Sequence, residues 1–518
     1  MKSKIIFFVF CLLVFSQSFS FAVTLTVTNC ADSGAGSLRQ ALTDVTTGDA
    51  IEFNIPWDTT ASTGEYSAGV VTNEAGSNKW FRIIVDSALP TISKDNVYIK
   101  GFSQPTSEGN NNSLGPEVEI RGASGASWNG LYFSGANNCT IEGLAINDFL
   151  GGLVFSGIYI SSGNSNEIVG NYIGVDASGT MGRMNGEGIY IDLSFNNKIG
   201  NGTVGGRNVI SGNVEGIEIS FSGSNEVLGN YIGLDATGTI AIANGYGIHL
   251  FSSSNNTIGA SNVIAYNGSL GVLEGICIEA SDSIQNKITQ NSMYSNYGKG
   301  ISLEGGTNEN IPTPEITSVT YTGTSEMLNI TGTGTSNAVV EIFKASGNQG
   351  RYYLGSVESN ALGSFETTLD ISSSGVTFIT GETVTTTQTD ANNNTSEFSN
   401  TKEVAITSFV STPPTLELPS NNLFKFGPNP YNPNNGSARI WYWLSSSADT
   451  TIYIMNMNGV LVWKNTYLSG TNGGQAGENN VEFNGKNSWG DTLGNGAYLF
   501  KVVQGGRVVG GGKIAVIR

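Results

Sequence analysis

The segment Gly157-Ile158-Tyr159-Ile160 with Ser165-Asn166-Glu167-Ile168-Val169-Gly170-Asn171-Tyr172-Ile173-Gly174-Val175-Asp176-Ala177 returns 59 residues later as Gly216-Ile217-Glu218-Ile219 with Ser224-Asn225-Glu226-Val227-Leu228-Gly229-Asn230-Tyr231-Ile232-Gly233-Leu234-Asp235-Ala236. Gly188-Ile189-Tyr190-Ile191 and Gly247-Ile248-His249-Leu250 keep the same offset. A fixed period of this kind means stacked units sharing one core. Each period holds two Gly-Ile-x-Ile strands, and the strand recurs at Gly130 (as Gly-Leu-Tyr-Phe), Gly157, Gly188, Gly216, Gly247, Gly275 and Gly300, at spacings of 27, 31, 28, 31, 28 and 25 residues. Each spacing is one turn of a coil. Two further short runs per coil, such as Asn-Glu-Ile-Val and Gly-Asn-Tyr-Ile, are separated by Gly and Asn turns. Three four-residue strands per coil, each lying ~4.8 Å from its counterpart, describe a parallel β-helix. No helical 3.6-residue period competes. The leucine pattern of leucine-rich repeats and the Trp-Asp marks of propeller blades are missing.

Strand alternation makes the outward face readable. In Gly-Ile-x-Ile the isoleucines point inward, so x and the residue two further on point out. The first outward column is Tyr132, Tyr159, Tyr190, Glu218, His249, Cys277 and Ser302; its neighbour is Ser134, Ser161, Asp192, Ser220, Phe251, Glu279 and Glu304. Aromatic rings beside acids suit a polysaccharide, through stacking on sugar rings and hydrogen bonds to hydroxyls. The expected ligand-binding residues are therefore Tyr159, Tyr190, Asp192, Glu218, His249, Phe251, Glu279 and Glu304. Asp192 and Glu218, on adjacent coils, are the candidate carboxylate pair for catalysis. The plainer reading is that these groups solvate an exposed sheet. Asp176 and Asp235 recur at one turn and are the candidate metal ligands, as a calcium ladder; the plainer reading is that each caps its own turn. Asn171 and Asn230 read as stacked amides satisfying turn backbone.

Residues 1–22 have the pattern of an export signal: Lys2 and Lys4, an apolar run from Ile5 to Phe15, and Ser20-Phe21-Ala22 as cleavage site. That run is too short to span a bilayer, and no later segment is long and apolar enough. Secretion or cell-surface display, associated with an outer membrane, is expected. Without the two signal lysines the chain carries 22 basic against 42 acidic residues, a formal charge of −20. Such a surface repels phosphate backbones, which argues against nucleic acid as a partner. Divalent cations and neutral sugars remain compatible. No cofactor is expected, calcium being the one ion the acids leave open. Cys11 falls in the signal, leaving Cys30, Cys139 and Cys277, an odd number at wide spacing. Neither a disulfide framework nor a Cys/His zinc cluster is expected.

Near the N-terminus, Asp32 to Leu42 reads as a Gly/Ser turn and a short helix that would cap the open strand edges. Its Gly36-Ser37-Leu38-Arg39-Gln40-Ala41-Leu42 segment, the run Leu89-Pro90-Thr91-Ile92 leading to Ile99-Lys100-Gly101-Phe102-Ser103-Gln104-Pro105, and the paired Asn-Tyr-Ile-Gly-x-Asp-Ala-x-Gly-Thr units resemble bacterial right-handed parallel β-helix repeat proteins of the pectate-lyase-like superfamily. The resemblance covers roughly residues 24 to 310. It implies the fold, and it implies that any catalytic groove lies along the Gly-Ile-x-Ile sheet; activity does not follow from it. The chain has no Asn-Thr-Asp, no Asp-Asp followed by Gly-His-Gly, and no Arg-x-Lys in the helix, as polygalacturonase-like hydrolases would have. The outward columns hold no Arg or Lys to serve as a lyase base, and Lys299 and Arg183 lie in flanking turns.

At Asn310-Ile311-Pro312-Thr313-Pro314 the coil pattern gives way to Thr-rich alternation, with strands expected over Met327 to Gly332, Ala338 to Phe343 and Gly381 to Asp390. Residues 311–407 suit one Ig-like sandwich acting as a spacer. Thr389 to Asn400 resembles the last strand region of Ig-like modules found after such β-helices. A stiff Pro-containing linker occupies 408–423. In 424–518, Gly427-Pro428-Asn429-Pro430-Tyr431-Asn432-Pro433, Ile452-Tyr453-Ile454, Trp489-Gly490-Asp491 and Gly494-Asn495-Gly496-Ala497-Tyr498 resemble the Ig-like fold of the flagellar hook-capping family and the sorting domains of type IX secretion, which implies secretion machinery as a partner.

The fold class expected is thus all-β: a right-handed parallel β-helix over 23–310 followed by two Ig-like β-sandwich domains. The function expected is binding of extracellular polysaccharide or another cell-surface component, or surface adhesion, in preference to catalysis. The alternatives are a polysaccharide lyase or glycoside hydrolase using the same face, and a structural surface protein without ligand. A wall formed by the loop Gly109 to Pro116 would favour a ligand; a flat face would favour the structural role.

Overall fold

The computed structural model describes residues 22–56, 70–72, 79–106, 112, 115–153, 155–268, 274–323, 325–407, 424–456, 461–487, 492–504 and 507–518. The export signal apart from Ala22, most of the loop 109–116, the linker 408–423 and Trp489-Gly490-Asp491 lie outside the described residues.

The chain is nearly all β. One compact unit runs to Thr407 and a second begins at Ser408. In the first, three sheets of nine, seven and nine strands wind around one apolar core, as the 59-residue period requires, and all their pairings are parallel except the edge pair of Val70–Thr72 with Lys79–Val85. The seven-stranded sheet, called the front sheet below, consists of Leu131–Ser134, Ile158–Ser161, Glu187–Asp192, Glu215–Ser220, Tyr246–Phe251, Ile276–Glu279 and Ile301–Leu303. Its register pairs Tyr132 with Tyr159, Tyr159 with Tyr190, Tyr190 with Glu218, Glu218 with His249, His249 with Cys277 and Cys277 with Ser302. The alternate residues Ile158, Ile189, Ile217, Ile248 and Ile276 stack inward with no solvent exposure. The glycine opening each strand has a steric reason: a Cβ on Gly188 would lie 2.5 Å from the carbonyl oxygen of Gly216, and one on Gly216 would lie 2.4 Å from that of Gly247.

The other two sheets differ from expectation in strand length. Several of their strands hold two or three residues, such as Tyr172–Ile173, Lys198–Ile199 and Glu226–Leu228. The remainder of each coil is corner, and the corners are held by buried asparagines. Asn166, Asn197, Asn225, Asn256, Asn286 and Asn308 form one ladder, in which the backbone amide of each donates to the side-chain oxygen of the next. Asn171, Asn208, Asn230 and Asn262 form a second, and Asn185, Asn213, Asn244, Asn267 and Asn296 a third. A turn backbone cannot bond to itself at such a corner, and the stacked amides supply the missing partners.

The N-terminal end is closed by the helix Leu38–Asp44, whose N-cap Ser37 accepts the Gln40 amide at 3.2 Å and whose Leu38, Ala41 and Leu42 are buried. At the other end, strands between Glu315 and Ile406 form two four-stranded sheets around Val319, Leu328, Ile330, Val340, Ile342 and Val384. The expected strands are observed as Met327–Thr333, Val339–Ser346 and Thr383–Thr389. The run after Thr389 is instead a turn and a loop that meets the last coil. Asn394 Oδ1 accepts the Gln285 amide at 2.6 Å, Thr395 Oγ1 accepts the Ile288 amide at 2.9 Å, and Glu397 Oε1 accepts the Leu303 amide at 2.9 Å. Gln349 Oε1 takes the place of a next asparagine, accepting from the Asn296 amide at 3.2 Å and its side chain at 2.8 Å.

The second unit has a three-stranded sheet (Phe424–Gly427, Ala438–Leu444, Gly477–Phe483) and a four-stranded sheet (Thr450–Asn456, Leu461–Tyr467, Gly496–Gln504, Arg507–Val516), both antiparallel. They share one core that includes Ile440, Tyr442, Ile452, Ile454, Phe483 and Phe500. Among the described residues, no helix is long and apolar enough to cross a membrane.

Candidate functional site: the front sheet

The parallel register brings the two outward columns together as one face. Tyr132, Tyr159 and Tyr190 stack on one another, with ring centroids 4.9 and 4.8 Å apart and planes inclined by 14° and 10°. Their inner faces are covered by their neighbours, so what Tyr159 offers outward is its hydroxyl edge rather than a platform for a sugar ring. The Tyr159 hydroxyl donates to Asp192 Oδ2 at 3.3 Å. Cys277 and Ser302, both in the first outward column, are buried, at 0% and 4% exposure.

A third column, not read from the sequence, completes the face. Glu187 pairs with Glu215 and Glu215 with Tyr246, and Glu274 stands in the corresponding place before Gly275. Strict alternation from Ile189 would turn the residue before the glycine inward. In the structure Glu187, Glu215 and Glu274 are nonetheless part-exposed, and the Glu187 and Glu215 carboxylates reach Ser156 and His249. Glu187 Oε2 accepts from Ser156 Oγ at 2.9 Å and Glu218 Oε1 from Ser220 Oγ at 2.8 Å. His249 stands between two acids, with Nδ1 3.1 Å from Glu215 Oε2 and Nε2 3.7 Å from Glu279 Oε1, and its ring stacks on Tyr246 at 4.9 Å. Cys277 Sγ lies 3.7 Å from Glu279 Oε1. Glu304 is exposed at the end of the face. Lys299 is engaged by Glu397 at 2.8 Å.

Crowded acids in partly dry surroundings resist ionisation. Burial, and next the Glu215 carboxylate, pushes Glu218 up to about 7. Burial also raises Glu187 and Glu274, the latter with help from Glu304. For His249, burial favours the neutral ring, but the hydrogen bond and charge of Glu215, with Glu279 and Glu218, outweigh it and the value rises. The stability consequence for Glu218 has a definite sign. Its folded value lies above the unfolded value of 4.5, so between pH 4.5 and 7 the native state holds the extra proton and stability falls as pH rises through that window. Glu218→Gln removes this loss. It is expected to stabilise the protein at pH 8 by about 1 to 2 kcal/mol, allowing for the solvent that reaches the carboxyl, and to leave it unchanged at pH 4.5. Denaturant midpoints at the two pH values check this; an equal shift at both rejects it.

Beside the acids runs an apolar strip that the sequence reading met only at Phe251. Leu193, Phe195, Phe221 and Phe251, from three consecutive coils, are 53%, 46%, 49% and 36% exposed. Phe221 and Phe251 meet edge to face at 5.6 Å, and Phe195 bridges to Gly223 of the next coil. Leu193 and Phe221 hold left-handed backbone, with φ of 50° and 51°. A bulky side chain in that region costs about 1 to 3 kcal/mol, and exposing it gains nothing for folding.

The remaining expected residues lie elsewhere. Asp176 and Asp235 sit on turns stacked through the Ala236 amide and the Gly179 carbonyl, away from the front face. Asp235 Oδ1 accepts the amides of Thr239 and Ile240, both at 2.9 Å, and Asp176 Oδ1 accepts from Ser178 Oγ at 2.6 Å. Each carboxylate is thus engaged by its own turn. The described part of the loop 109–116 lies along another sheet: Asn112 Nδ2 donates to the carbonyls of Pro116 and Ala177.

No family model matches the chain. No curated protein matches it either. Among solved structures, tailspike protein 2 of Escherichia coli O157:H7 bacteriophage CAB120 is similar at 10% identity and a TM-score of 0.22, over 92% of this chain and 63% of that one. The A-module of Azotobacter vinelandii mannuronan C-5 epimerase AlgE4 is similar at 12% identity and 0.23, over 55% and 91%. PorU from Porphyromonas gingivalis is similar at 13% and 0.16, over 42% and 22%. The chain therefore spans less than two thirds of the tailspike and about a fifth of PorU. At such scores these likenesses carry no argument, and fold and function rest on the chain's own pairing and side chains.

Proposed function

We propose that this is an exported cell-surface protein that binds a neutral extracellular polysaccharide along its front sheet. The observation that carries the reading is the strip Leu193, Phe195, Phe221 and Phe251, exposed and in part backbone-strained, running across coils beside a row of hydrogen-bonding acids. An elongated apolar surface flanked by acceptors suits a chain of sugar rings, whose faces are apolar and whose edges carry hydroxyl donors. Polyuronates are disfavoured, because Glu187, Asp192, Glu215, Glu218 and Glu279 would repel them. Lys299, one of the two cations in the flanking turns, is engaged by Glu397, which counts against its serving as a lyase base.

In this reading the segment 315–406 closes and extends the helix. The segment 424–518 is an Ig-like sorting or attachment domain, supported by its Pro-Asn-Pro opening and its pair of antiparallel sheets. The test is retention of the full chain on immobilised neutral and acidic polysaccharides, with release of reducing or unsaturated ends followed in parallel. Phe195→Ala with Phe221→Ala is expected to weaken binding to the neutral polymer about 10- to 100-fold, at ~1 kcal/mol or more per ring. Release of ends that disappears in Asp192→Asn or Glu218→Gln would make the protein an enzyme, and neither retention nor cleavage would make it a structural surface protein.

A further inference from the structure

Three potential metal-binding side chains from two adjacent coils converge on the front sheet. His249, Cys277 and Glu279 bring one ligand atom each to within 4.8 Å of one another. His249 and Cys277 are register partners, so their meeting is fixed by strand pairing and not by a mobile loop. The ring of His249 is already oriented. Its Nδ1 is held by Glu215 Oε2 at 3.1 Å, while its side chain is 13% exposed and its Nε2 is sealed from solvent without a hydrogen bond. An imidazole whose one nitrogen is held by a carboxylate and whose other nitrogen makes no hydrogen bond has the arrangement of a metal-ligating histidine, in which the outer carboxylate fixes the tautomer. Cys277 Sγ has Glu279 Oε1 as its neighbour at 3.7 Å, and Glu274 and Glu304 stand near enough to act on it electrostatically.

We infer that His249 Nε2, Cys277 Sγ and Glu279 Oε1 form a three-ligand site for a divalent transition metal of the zinc type, with Glu215 as the positioning residue. The donor set decides the class of ion. Calcium and magnesium require oxygen ligands, whereas one nitrogen, one sulfur and one oxygen suit a borderline ion with tetrahedral preference. Bonds of about 2.0 to 2.3 Å would set the ligand atoms roughly 3.3 to 3.7 Å apart, so the site closes by about 1 Å on binding. Three protein ligands leave the fourth position to water or a ligand. A dication also relieves the repulsion among Glu215, Glu218, Glu279 and Glu304. The site shares Glu215 and Glu279 with the acid row of the polysaccharide reading, but Leu193, Phe195, Phe221 and Phe251 supply no ligand to it, so cobalt binding and glycan retention can fail separately.

The competing arrangement is a protonated His249 bridging Glu215 and Glu279, with an idle thiol. Cobalt(II) titration of the reduced, chelator-stripped full chain separates the two. The expected result is one equivalent bound with thiolate-to-cobalt charge-transfer absorption, displaced by zinc. Cys277→Ser abolishes the charge-transfer band, His249→Gln abolishes stoichiometric binding, and Glu215→Gln weakens affinity about 10- to 100-fold. Tyr132→Phe, remote on the same sheet, leaves binding unchanged. Near-ultraviolet circular dichroism checks that each variant is folded, and His249→Gln carries the test if Cys277→Ser, at a fully buried position, is not. No charge-transfer band in the folded wild-type chain, or a band that survives both substitutions, overturns the inference in favour of the imidazolium bridge.

Discussion

Asn225→Ala is expected to destabilise the β-helix by about 3 to 5 kcal/mol, more than any surface substitution on the front sheet. The residue is fully buried and stands mid-ladder. Its Oδ1 accepts from the backbone amide and the side-chain nitrogen of Asn197, at 2.9 and 3.0 Å, and its Nδ2 donates to the Ser194 carbonyl and Asn256 Oδ1, both at 3.1 Å. Truncation removes all four bonds at once and leaves a buried backbone amide on one coil without a partner. Each orphaned group costs roughly 1 to 3 kcal/mol, because water cannot reach it. Asn164→Ala is the contrast: that residue also bonds between coils but is half-exposed, so water replaces what is lost and the expected cost is below about 1 kcal/mol. Guanidinium midpoints of the two variants against wild type measure the difference; equal costs would mean that the ladders do not hold the corners.

The second large effect concerns the end of the helix. A fragment comprising residues 23–310 is expected to self-associate and to melt well below a fragment comprising 23–407. The last coil directs the amides of Gln285, Ile288, Gln290, Asn296 and Leu303 to Asn394, Thr395, Glu341, Gln349 and Glu397. Phe398 lies over Gly300 and packs against the helix core. Cutting at 310 strips these partners and uncovers a row of parallel strand edges, which will pair with another copy. Light scattering behind a sizing column reads the outcome: a monomeric 23–310 fragment as stable as 23–407 would show that the docked loop and strands are incidental.

The repeat made the fold legible because one short motif, Gly-Ile-x-Ile, states both the coil length and which side chains face out. The register of Tyr159 on Tyr190 and of Glu218 on His249 follows from that motif alone. The same column already placed His249 beside Cys277. Reading cysteines by their spacing along the chain hid the pair, since strand stacking and not sequence proximity brings them together. Glu187 and Glu215 were missed because strict alternation counted back through the glycine after each of them assigns them to the inner face. Leu193 and Phe221 were missed because they occupy turns, where no period tells buried from exposed. The length of the side-sheet strands was misjudged because asparagine side chains take over hydrogen bonding that backbone strands would otherwise provide. The partners of the last coil were not legible, since a contact such as Gln285 to Asn394 crosses 109 residues and leaves no local trace.

That separation also gives folding a direction. Coils can add one on another from the Leu38–Asp44 helix onward, each drawing its partners from coils nearby in the chain. The final coil is the exception, because what satisfies it is made of chain that comes much later. A nascent or partly threaded molecule therefore has one growing, adhesive end until residues near 398 arrive, and from that moment it has none.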